Sequence, residues 1–135
     1  MEDCRDATVV SLVIERDGAV LLGRRSRTKD HAPGQWETIS GRAKPNETLV
    51  QAAHREALEE TGLEVEVLRK IDTFTFDRGP GAVPTTGVTF HCRTWGERTR
   101  LSDEHEEFVW ATLEQAKGYG LPEGLMRCVE TVLKK

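Results

Sequence analysis

Residues 41–63 read GRAKPNETLVQAAHREALEETGL, and they are the most informative stretch of this 135-residue chain. We expect a helix over residues 47–61. Ser40 or Asn46 would cap its first turn, and Gly62 stands where a helix-ending glycine belongs. The stretch therefore predicts one helix with defined ends in the middle of the chain.

Three glutamates of this helix project to one side. Glu56, Glu59 and Glu60 are spaced i, i+3 and i+4. At about 100° per residue they continue the side that carries Ala52 and Ala53, which we expect to pack on the rest of the fold. Burial of unpaired carboxylates is unfavourable, and Mg²⁺ or Mn²⁺ would compensate their charge. Three helical acids alone, however, more often form an ordinary solvated helix end.

The spacing of the whole stretch is more specific than the three glutamates. It reads G-x5-E-x7-R-E-U-x-E-E-x-G-U, where U is apolar, and every specified position is filled. The residues at these positions are Gly41, Glu47, Arg55, Glu56, Ala57, Glu59, Glu60, Gly62 and Leu63. This pattern resembles the signature of the Nudix hydrolase family. The resemblance covers 23 residues, and it implies an α/β fold of the Nudix type, an α/β/α sandwich with helices flanking a mixed β-sheet.

The resemblance also implies a reaction and roles for individual residues. Nudix hydrolases use Mg²⁺ or Mn²⁺ while water attacks one phosphorus of a nucleoside diphosphate linked to another moiety. By resemblance, Glu56, Glu59 and Glu60 would bind the metal ions. Arg55 and Glu47 would orient these glutamates. We therefore expect a catalytic site on this helix.

The loop before the helix departs from the family pattern. Many members carry G-x-W-x-x-P-G-G, whereas residues 34–41 read GQWETISG, with Ile39 and Ser40 in place of proline and the first glycine. The backbone carbonyl at the position of Ser40 is a metal ligand in relatives. Because a carbonyl does not require glycine, Ser40 remains a predicted metal ligand, although serine tolerates a positive φ less well.

A second acidic cluster lies in residues 101–110, LSDEHEEFVW. Such a loop is by default merely solvated, but Nudix hydrolases often supply one more carboxylate from a distant loop. Glu104 precedes Trp110 by six residues, which resembles the position of that glutamate in the 8-oxo-dGTP-cleaving members. We predict Glu104 as metal ligand or general base, ahead of Glu107 and then Glu106. Glu56 is the alternative general base.

Four basic residues follow the second predicted strand. In the nucleoside-triphosphate-cleaving members that this region resembles, an arginine contacts substrate phosphate, and arginine suits bidentate phosphate binding. Arg25, and after it Arg24, are therefore predicted to bind substrate. We expect Arg27 and Lys29 to be solvated, and His105 to cap its loop rather than to contact phosphate.

Composition indicates a soluble globular protein of one domain, residues 1–135. The net charge of −4 argues against coating a nucleic-acid polymer. Cys4, Cys92 and Cys128 have no metal-ligand spacing and indicate free thiols in a reducing compartment. Neither a secretory signal nor a membrane span is evident. We expect a cytoplasmic protein, and a homodimer is left open.

The remaining chain predicts a mixed sheet flanked by helices. The expected strands are residues 8–14, 19–22, 36–40, a long strand within 63–76 with an irregularity near 69–70, then 88–95 and 108–111. A turn-rich hairpin tip should occupy 77–84. Helices are expected from Thr112 to Lys117, and from Pro122 onward.

These features predict a Mg²⁺-dependent pyrophosphohydrolase acting on a (deoxy)nucleoside triphosphate, including oxidised ones. Hydrolysis of ADP-ribose, a nucleotide sugar or a dinucleoside polyphosphate is the alternative within the same chemistry. A catalytically silent domain that binds nucleotides or RNA ends is an alternative of another class, although this chain keeps every glutamate of the signature. A calcium-binding domain is disfavoured because the D-x-D-x-D-G loop pattern is missing.

Overall fold

A computed structural model describes residues 8–29, 32–76, 79–82, 84–96 and 99–134. Cys4 and part of the predicted hairpin tip lie outside these residues. The described part forms seven strands and three helices. They are β1 (Thr8–Arg16), β2 (Ala19–Arg25), β3 (Trp36–Glu37), β4 (Ile39–Arg42), α1 (Leu49–Thr61), β5 (Glu66–Phe76), β6 (Thr85–Arg93), β7 (His105–Ala111), α2 (Leu113–Ala116) and α3 (Glu123–Leu133).

The strands form one mixed sheet with β1 near its centre. β1 pairs antiparallel with β2 and β4 and parallel with β6. β5 continues the sheet beyond β6, while β3 and β7 pair with β2. A strand buried on both faces needs apolar side chains on both, and β1 supplies them. The predicted class, a mixed sheet flanked by helices, is confirmed.

Successive residues of each strand point to opposite faces and divide the core in two. The α1 face is formed by Val10, Leu12, Ile14, Leu21, Ile39, Val88, Phe90 and Cys92, with Ala52, Ala53 and Ala57 of the helix. The α3 face is formed by Val13, Val20, Leu22, Ala111, Ala116, Cys128, Val129 and Val132. None of the described helices is long and apolar enough to cross a membrane.

The start of α1 differs from the prediction. The helix begins at Leu49 and its N-cap is Thr48, not Ser40 or Asn46. Thr48 accepts a hydrogen bond from the backbone of Gln51, whose side chain accepts one from the backbone of Thr48. This reciprocal capping box satisfies two helix-end donors. The predicted C-terminus is confirmed, since Gly62 has φ 78° and donates to Leu58 O.

Strand boundaries also differ near the predicted site. Residues 36–40 form two short strands, because β3 pairs with β2 whereas β4 pairs with β1. β7 begins at His105 rather than at Phe108. The irregularity predicted near residues 69–70 is confirmed by register shifts between β5 and β6. The capped start of α2 at Thr112 and the start of α3 after Pro122 are confirmed as well.

Candidate active site

Gly41 of β4 lies against the carboxyl group of Glu56. A Cβ atom at Gly41 would lie 2.1 Å from Glu56 Cδ, so the carboxyl group occupies the space that a side chain would need. The pairing of Gly41 with Val10 places it on the α1 face of the sheet. The glycine of the signature therefore makes room for the first of its three clustered glutamates.

Glu56 and Glu60 are buried carboxylates one helical turn apart. Burial raises the pKa of Glu60 to about 8, and the negative charges of Glu56, Glu104 and Glu37 act in the same direction. Burial also raises the pKa of Glu56, against the opposing effect of Arg55. Two buried, mutually repelling carboxylates lower the stability of a cation-free site.

Glu59 has a different environment from the other two glutamates. Its side chain is 57% exposed and accepts a hydrogen bond from Arg55 Nη1 at 3.1 Å. The prediction that all three glutamates continue a buried side was therefore wrong for Glu59. At about 100° per residue Glu59 lies near the edge of the face that buries Glu56 and Glu60.

Arg55 connects the helix to the loop that precedes it. Its Nε and Nη2 atoms donate to both oxygens of Glu47, and Nη2 also donates to the carbonyl of Arg42 at 2.9 Å. Nη1 donates to Glu56 at 3.0 Å. The hydrogen bond from Arg55 is the main reason that the pKa of Glu47 is lowered to about 2. One guanidinium thus fixes the loop and one buried carboxylate together.

Glu104 approaches from the loop before β7. Its charge contributes to the raised pKa of Glu60, so it belongs to the same electrostatic environment. Its carboxylate lies 2.6 Å from Lys29 Nζ, and the side chain is 38% exposed. Lys29, which we predicted to be solvated, is instead an ion-pair partner of a predicted site residue. A contact between positions 75 residues apart could not be read from the local sequence.

A β-bulge in β7 separates Glu106 and Glu107 from the surroundings of Glu60. In the pairing of β2 with β7, Arg24 lies opposite Glu107 and Arg25 lies opposite His105, so that Glu106 is an extra residue. Arg24 forms ion pairs with Glu106 at 3.0 Å and Glu107 at 3.1 Å. These two alternatives to Glu104 are therefore engaged with Arg24, next to the Trp36 ring of the α3 face.

Arg25 lies on the opposite face from Arg24, towards the buried glutamates. Its Nη1 is 3.3 Å from Glu37 Oε2, and the same oxygen lies 2.9 Å from His105 Nε2. His105 is buried and does not cap its loop as predicted. The sequence did not predict that Glu37 and His105 lie beside the buried glutamates, because only the bulge turns His105 to this face.

Ser40 lies in β4 directly before Gly41. Asp17 and Ala32 are the two non-glycine residues with positive φ in the described part of the chain. Ser40 therefore replaces the family glycine without entering the left-handed region. Its pairing with Ser11 places its side chain on the α3 face.

Comparisons with known proteins show the family of this chain. The chain matches the model of the NUDIX domain over residues 5–128. It belongs to the Nudix family. It is 33% identical to the CTP pyrophosphohydrolase of Escherichia coli K12 over 117 residues, which are 84% of this chain and 81% of the relative. It is 28% identical to the nucleoside triphosphatase NudI of Escherichia coli O17:K52:H18 over 127 residues, 87% and 89% of the two chains.

The Nudix fold is also found in the solved structures that this chain resembles. The crystal structure of the MutT protein from Methanosarcina mazei Go1 matches with a TM-score of 0.75 at 25% identity, covering 95% of each chain. The Nudix signature of this chain thus lies in a fold that extends over 95% of both chains.

The chemistry of the donor set fits a hard divalent cation. Among the described residues, no three His, Cys, Asp or Glu side chains converge as a ready-made metal site. Glu59 and Glu104 are ion-paired with Arg55 and Lys29 instead. The available donors are carboxylate oxygens, which Mg²⁺ and Mn²⁺ prefer. Glu60 Oε1 is buried without a hydrogen-bond partner. A cation would supply the missing charge compensation.

Replacement of Gly41 by alanine should reduce turnover while the protein stays folded. The new methyl group would displace the Glu56 carboxyl group, and displacement of a reacting group by about 1 Å lowers rates by about 100-fold. The measurement is kcat for nucleoside triphosphate hydrolysis, with circular dichroism to check folding. Gly118→Ala is the control, because its Cβ would meet only Gln115 O at 3.5 Å. Equal kcat values for both variants would contradict the prediction.

Proposed function

We propose that this Nudix protein is a Mg²⁺-dependent pyrophosphohydrolase that cleaves a nucleoside triphosphate into a nucleoside monophosphate and pyrophosphate. The burial of Glu56 and Glu60 side by side, with raised pKa values, carries the proposal. Such a pair is unfavourable unless a cation offsets it, and the phosphates of the substrate need the same cation. The names of the relatives, a CTP pyrophosphohydrolase and a nucleoside triphosphatase, support this substrate class.

The carboxylates of the site would bind the cation and accept a proton from water. Glu56, Glu59, Glu60 and Glu104 would hold Mg²⁺ or Mn²⁺ with the carbonyl of Ser40. When bound, the cation lowers the pKa of coordinated water and neutralises phosphate charge. Glu104, which lies partly exposed at the edge of the site, would accept the proton of the attacking water, with Glu56 as the alternative general base.

Other residues would orient the groups that react. Arg55 and Glu47 would keep Glu56 and Glu59 in place through the hydrogen bonds described above. Arg25, on the face of the buried glutamates, is the stronger candidate for phosphate contact. Arg24 is the weaker one, since Glu106 and Glu107 already neutralise it on the α3 side.

A cleft on the α3 face would accommodate the nucleoside. It has a volume of about 270 Å³ and is lined mainly by Asp72, Phe74, Thr89, Pro122, Leu125 and Cys128. Ser40, Ser11, Thr89 and Asp72 stand side by side on four neighbouring strands. This polar row leads from the loop of the signature to the cleft. The lining is largely apolar with one carboxylate, Asp72, and the exposed side chain of Arg127. The carboxylate can accept a hydrogen bond from a bound ring system.

Asp72 should favour bases that carry an amino group. A carboxylate accepts hydrogen bonds, and cytosine, adenine and guanine offer an amino donor that uracil lacks. We expect Asp72→Asn to lower kcat/KM for CTP by about tenfold relative to UTP. The measurement is a competition between the two nucleotides, with Asp17→Asn in the β1–β2 turn as the control. An unchanged ratio of kcat/KM for CTP to that for UTP would show that Asp72 does not determine base specificity.

A nucleotide panel tests the proposed function. Nucleoside triphosphates, ADP-ribose, a nucleotide sugar and a dinucleoside polyphosphate would be incubated with the protein, with Mg²⁺ or with EDTA, and the products identified. The proposal predicts pyrophosphate release from triphosphates only when Mg²⁺ is present. Cleavage of ADP-ribose in preference would favour the alternative substrate class. Nucleotide binding without any cleavage would indicate a silent binding domain.

The setting of the activity is also a proposal. The chain would act as one Nudix domain over residues 1–135 on small nucleotides in the cytoplasm. Cys92 and Cys128 are buried free thiols, which agrees with a reducing compartment.

A further inference from the structure

The buried His105 pairs with the part-buried Glu37 beside Glu60. His105 Nε2 lies 2.9 Å from Glu37 Oε2, and Arg25 Nη1 contacts the same carboxylate oxygen at 3.3 Å. The His105 side chain is only 1% exposed. Its other nitrogen, Nδ1, faces Glu60 Oε1 across 3.7 Å. The imidazole therefore lies between the carboxylates of Glu37 and Glu60, which have different surroundings.

The two atoms that face each other across this gap have no hydrogen-bond partner. His105 Nδ1 and Glu60 Oε1 are both buried and unsatisfied in the described structure. Such groups are rare in folded proteins and call for a specific explanation. An approach of about 0.7 Å would bring the pair within hydrogen-bond distance. One proton between Nδ1 and Oε1 then forms the bond, whichever atom carries it.

The surroundings hold the imidazole ring in this orientation. A Cβ atom at Gly23 would lie 2.6 Å from His105 Cδ2, so the ring rests directly on the glycine of β2. The Phe108 ring packs beside it with a centroid distance of 5.4 Å. The β-bulge at Glu106 brings His105 and Phe108 to the same face of the sheet. Glycine, bulge and phenylalanine thus fix the ring before any substrate binds.

We infer that Glu37 and His105 are positioning residues, which hold Glu60 Oε1 through His105 Nδ1 so that the other Glu60 oxygen is presented to a divalent cation. This inference rests on the proposed role of Glu60 as a metal ligand. Hydrogen bonds that orient a ligating carboxylate commonly change metal affinity by about 10–100-fold. The pair links Glu60 to Arg25 through the Glu37 carboxylate. The same contacts would therefore position both the metal ligand and a candidate phosphate-binding residue.

The chain offers a matched control for this pair. His91 Nε2 lies 2.8 Å from Glu15 Oε1, and His91 is also buried. It pairs in register with Val13, which belongs to the α3 face. His91→Gln therefore makes the same replacement as His105→Gln on the face away from α1, with the glutamine amide at the place of the Nε2 atom that contacts Glu15. It shows the effect of this replacement on folding alone.

Two substitutions separate positioning from a purely structural role. A glutamine amide can occupy the place of Nε2, whereas an asparagine amide can occupy the place of Nδ1. His105→Gln would keep the contact with Glu37 and lose the group that faces Glu60, and His105→Asn would do the reverse. Positioning through Nδ1 predicts that His105→Asn retains more function than His105→Gln. A role limited to holding Glu37 predicts the opposite order.

The primary readout is the dissociation constant for Mn²⁺, measured by electron paramagnetic resonance on nucleotide-free protein. We expect His105→Gln to weaken Mn²⁺ binding by about 10–100-fold, with lower kcat and little change in KM, and His91→Gln to leave both unaltered. If His105→Gln does not fold, Glu37→Gln serves in its place with the same expected direction. Wild-type Mn²⁺ affinity in His105→Gln would overturn the inference. A Mn²⁺ affinity of His105→Asn that is equal to or weaker than that of His105→Gln would also overturn it. Failure of the wild-type protein to bind Mn²⁺ would instead reject the proposed function.

Discussion

Replacement of Glu60 by glutamine is expected to abolish turnover and, at the same time, to stabilise the metal-free protein near pH 8. The carboxylate is buried beside Glu56, and both carry raised pKa values because burial disfavours their charged forms. Glutamine keeps the shape of the side chain without its charge. The loss of one ligand and its charge should lower kcat by about 1,000-fold.

The pH dependence of stability follows from the direction of the Glu60 shift. Its pKa is about 8 in the folded protein and 4.5 as the ordinary value. Between these values the folded state holds more protons than the unfolded state, so the free energy of unfolding falls as pH rises. The stabilisation is complete below about pH 4.5 and is lost as pH passes 8. Mg²⁺ should restore stability at high pH, because it offsets the charge.

Thermal unfolding from pH 5 to 9, with and without Mg²⁺, measures this effect. The Glu60→Gln variant should show a flatter pH profile than the wild-type protein and little response to Mg²⁺. Glu66→Gln, at an exposed position paired with Arg93, is the control and should resemble the wild type. A metal-free Glu60→Gln variant that is less stable than the wild type at pH 8 would contradict this account.

Replacement of Arg55 is expected to damage stability and catalysis together. Arg55→Ala would leave Glu47 and Glu56 without their common partner. Loss of the charged partner of these part-buried carboxylates should lower stability by about 1–3 kcal/mol. Arg55→Lys keeps the positive charge but cannot bind both oxygens of Glu47. It should stay folded and lose about 10–100-fold in metal affinity and kcat.

Acid sensitivity provides an independent check on Arg55. The pKa of Glu47 is lowered to about 2 mainly by the hydrogen bond from Arg55. The pair therefore contributes stability above about pH 4.5 that is lost as pH falls towards 2. Denaturant unfolding between pH 2 and 7 should show a shallower acid loss in Arg55→Ala than in the wild type. Arg42→Ala is the control, since Arg42 joins this network only through its backbone carbonyl.

Local patterns allowed the end of α1 and the glutamate cluster to be predicted, because both depend on residues close in sequence. Gly62 closes the helix in the left-handed conformation that favours glycine. The prediction of the N-cap was wrong because Thr48 forms a capping box with Gln51, and Thr48 therefore caps the helix instead of Asn46. Both signals are present in the sequence, and the capping box is the stronger one because it satisfies two helix-end donors.

The environment of the glutamates could not be predicted in the same way. In a regular strand His105 and Phe108 would point to opposite faces. The bulge brings both to the α1 face and directs Glu106 towards Arg24. Alternation of apolar and polar residues does not reveal a bulge, because its extra residue depends on the partner strand. Glu37 and His105 were missed for this reason.

The central claim is that the buried glutamates of α1 hold a divalent cation that hydrolysis requires. Phosphorus NMR of a nucleoside triphosphate reaction tests it directly, with wild-type protein and Glu60→Gln, each in Mg²⁺ and in EDTA. The account predicts nucleoside monophosphate and pyrophosphate from the wild-type protein in Mg²⁺ alone. Hydrolysis at the same rate in EDTA, or by Glu60→Gln in Mg²⁺, would contradict it.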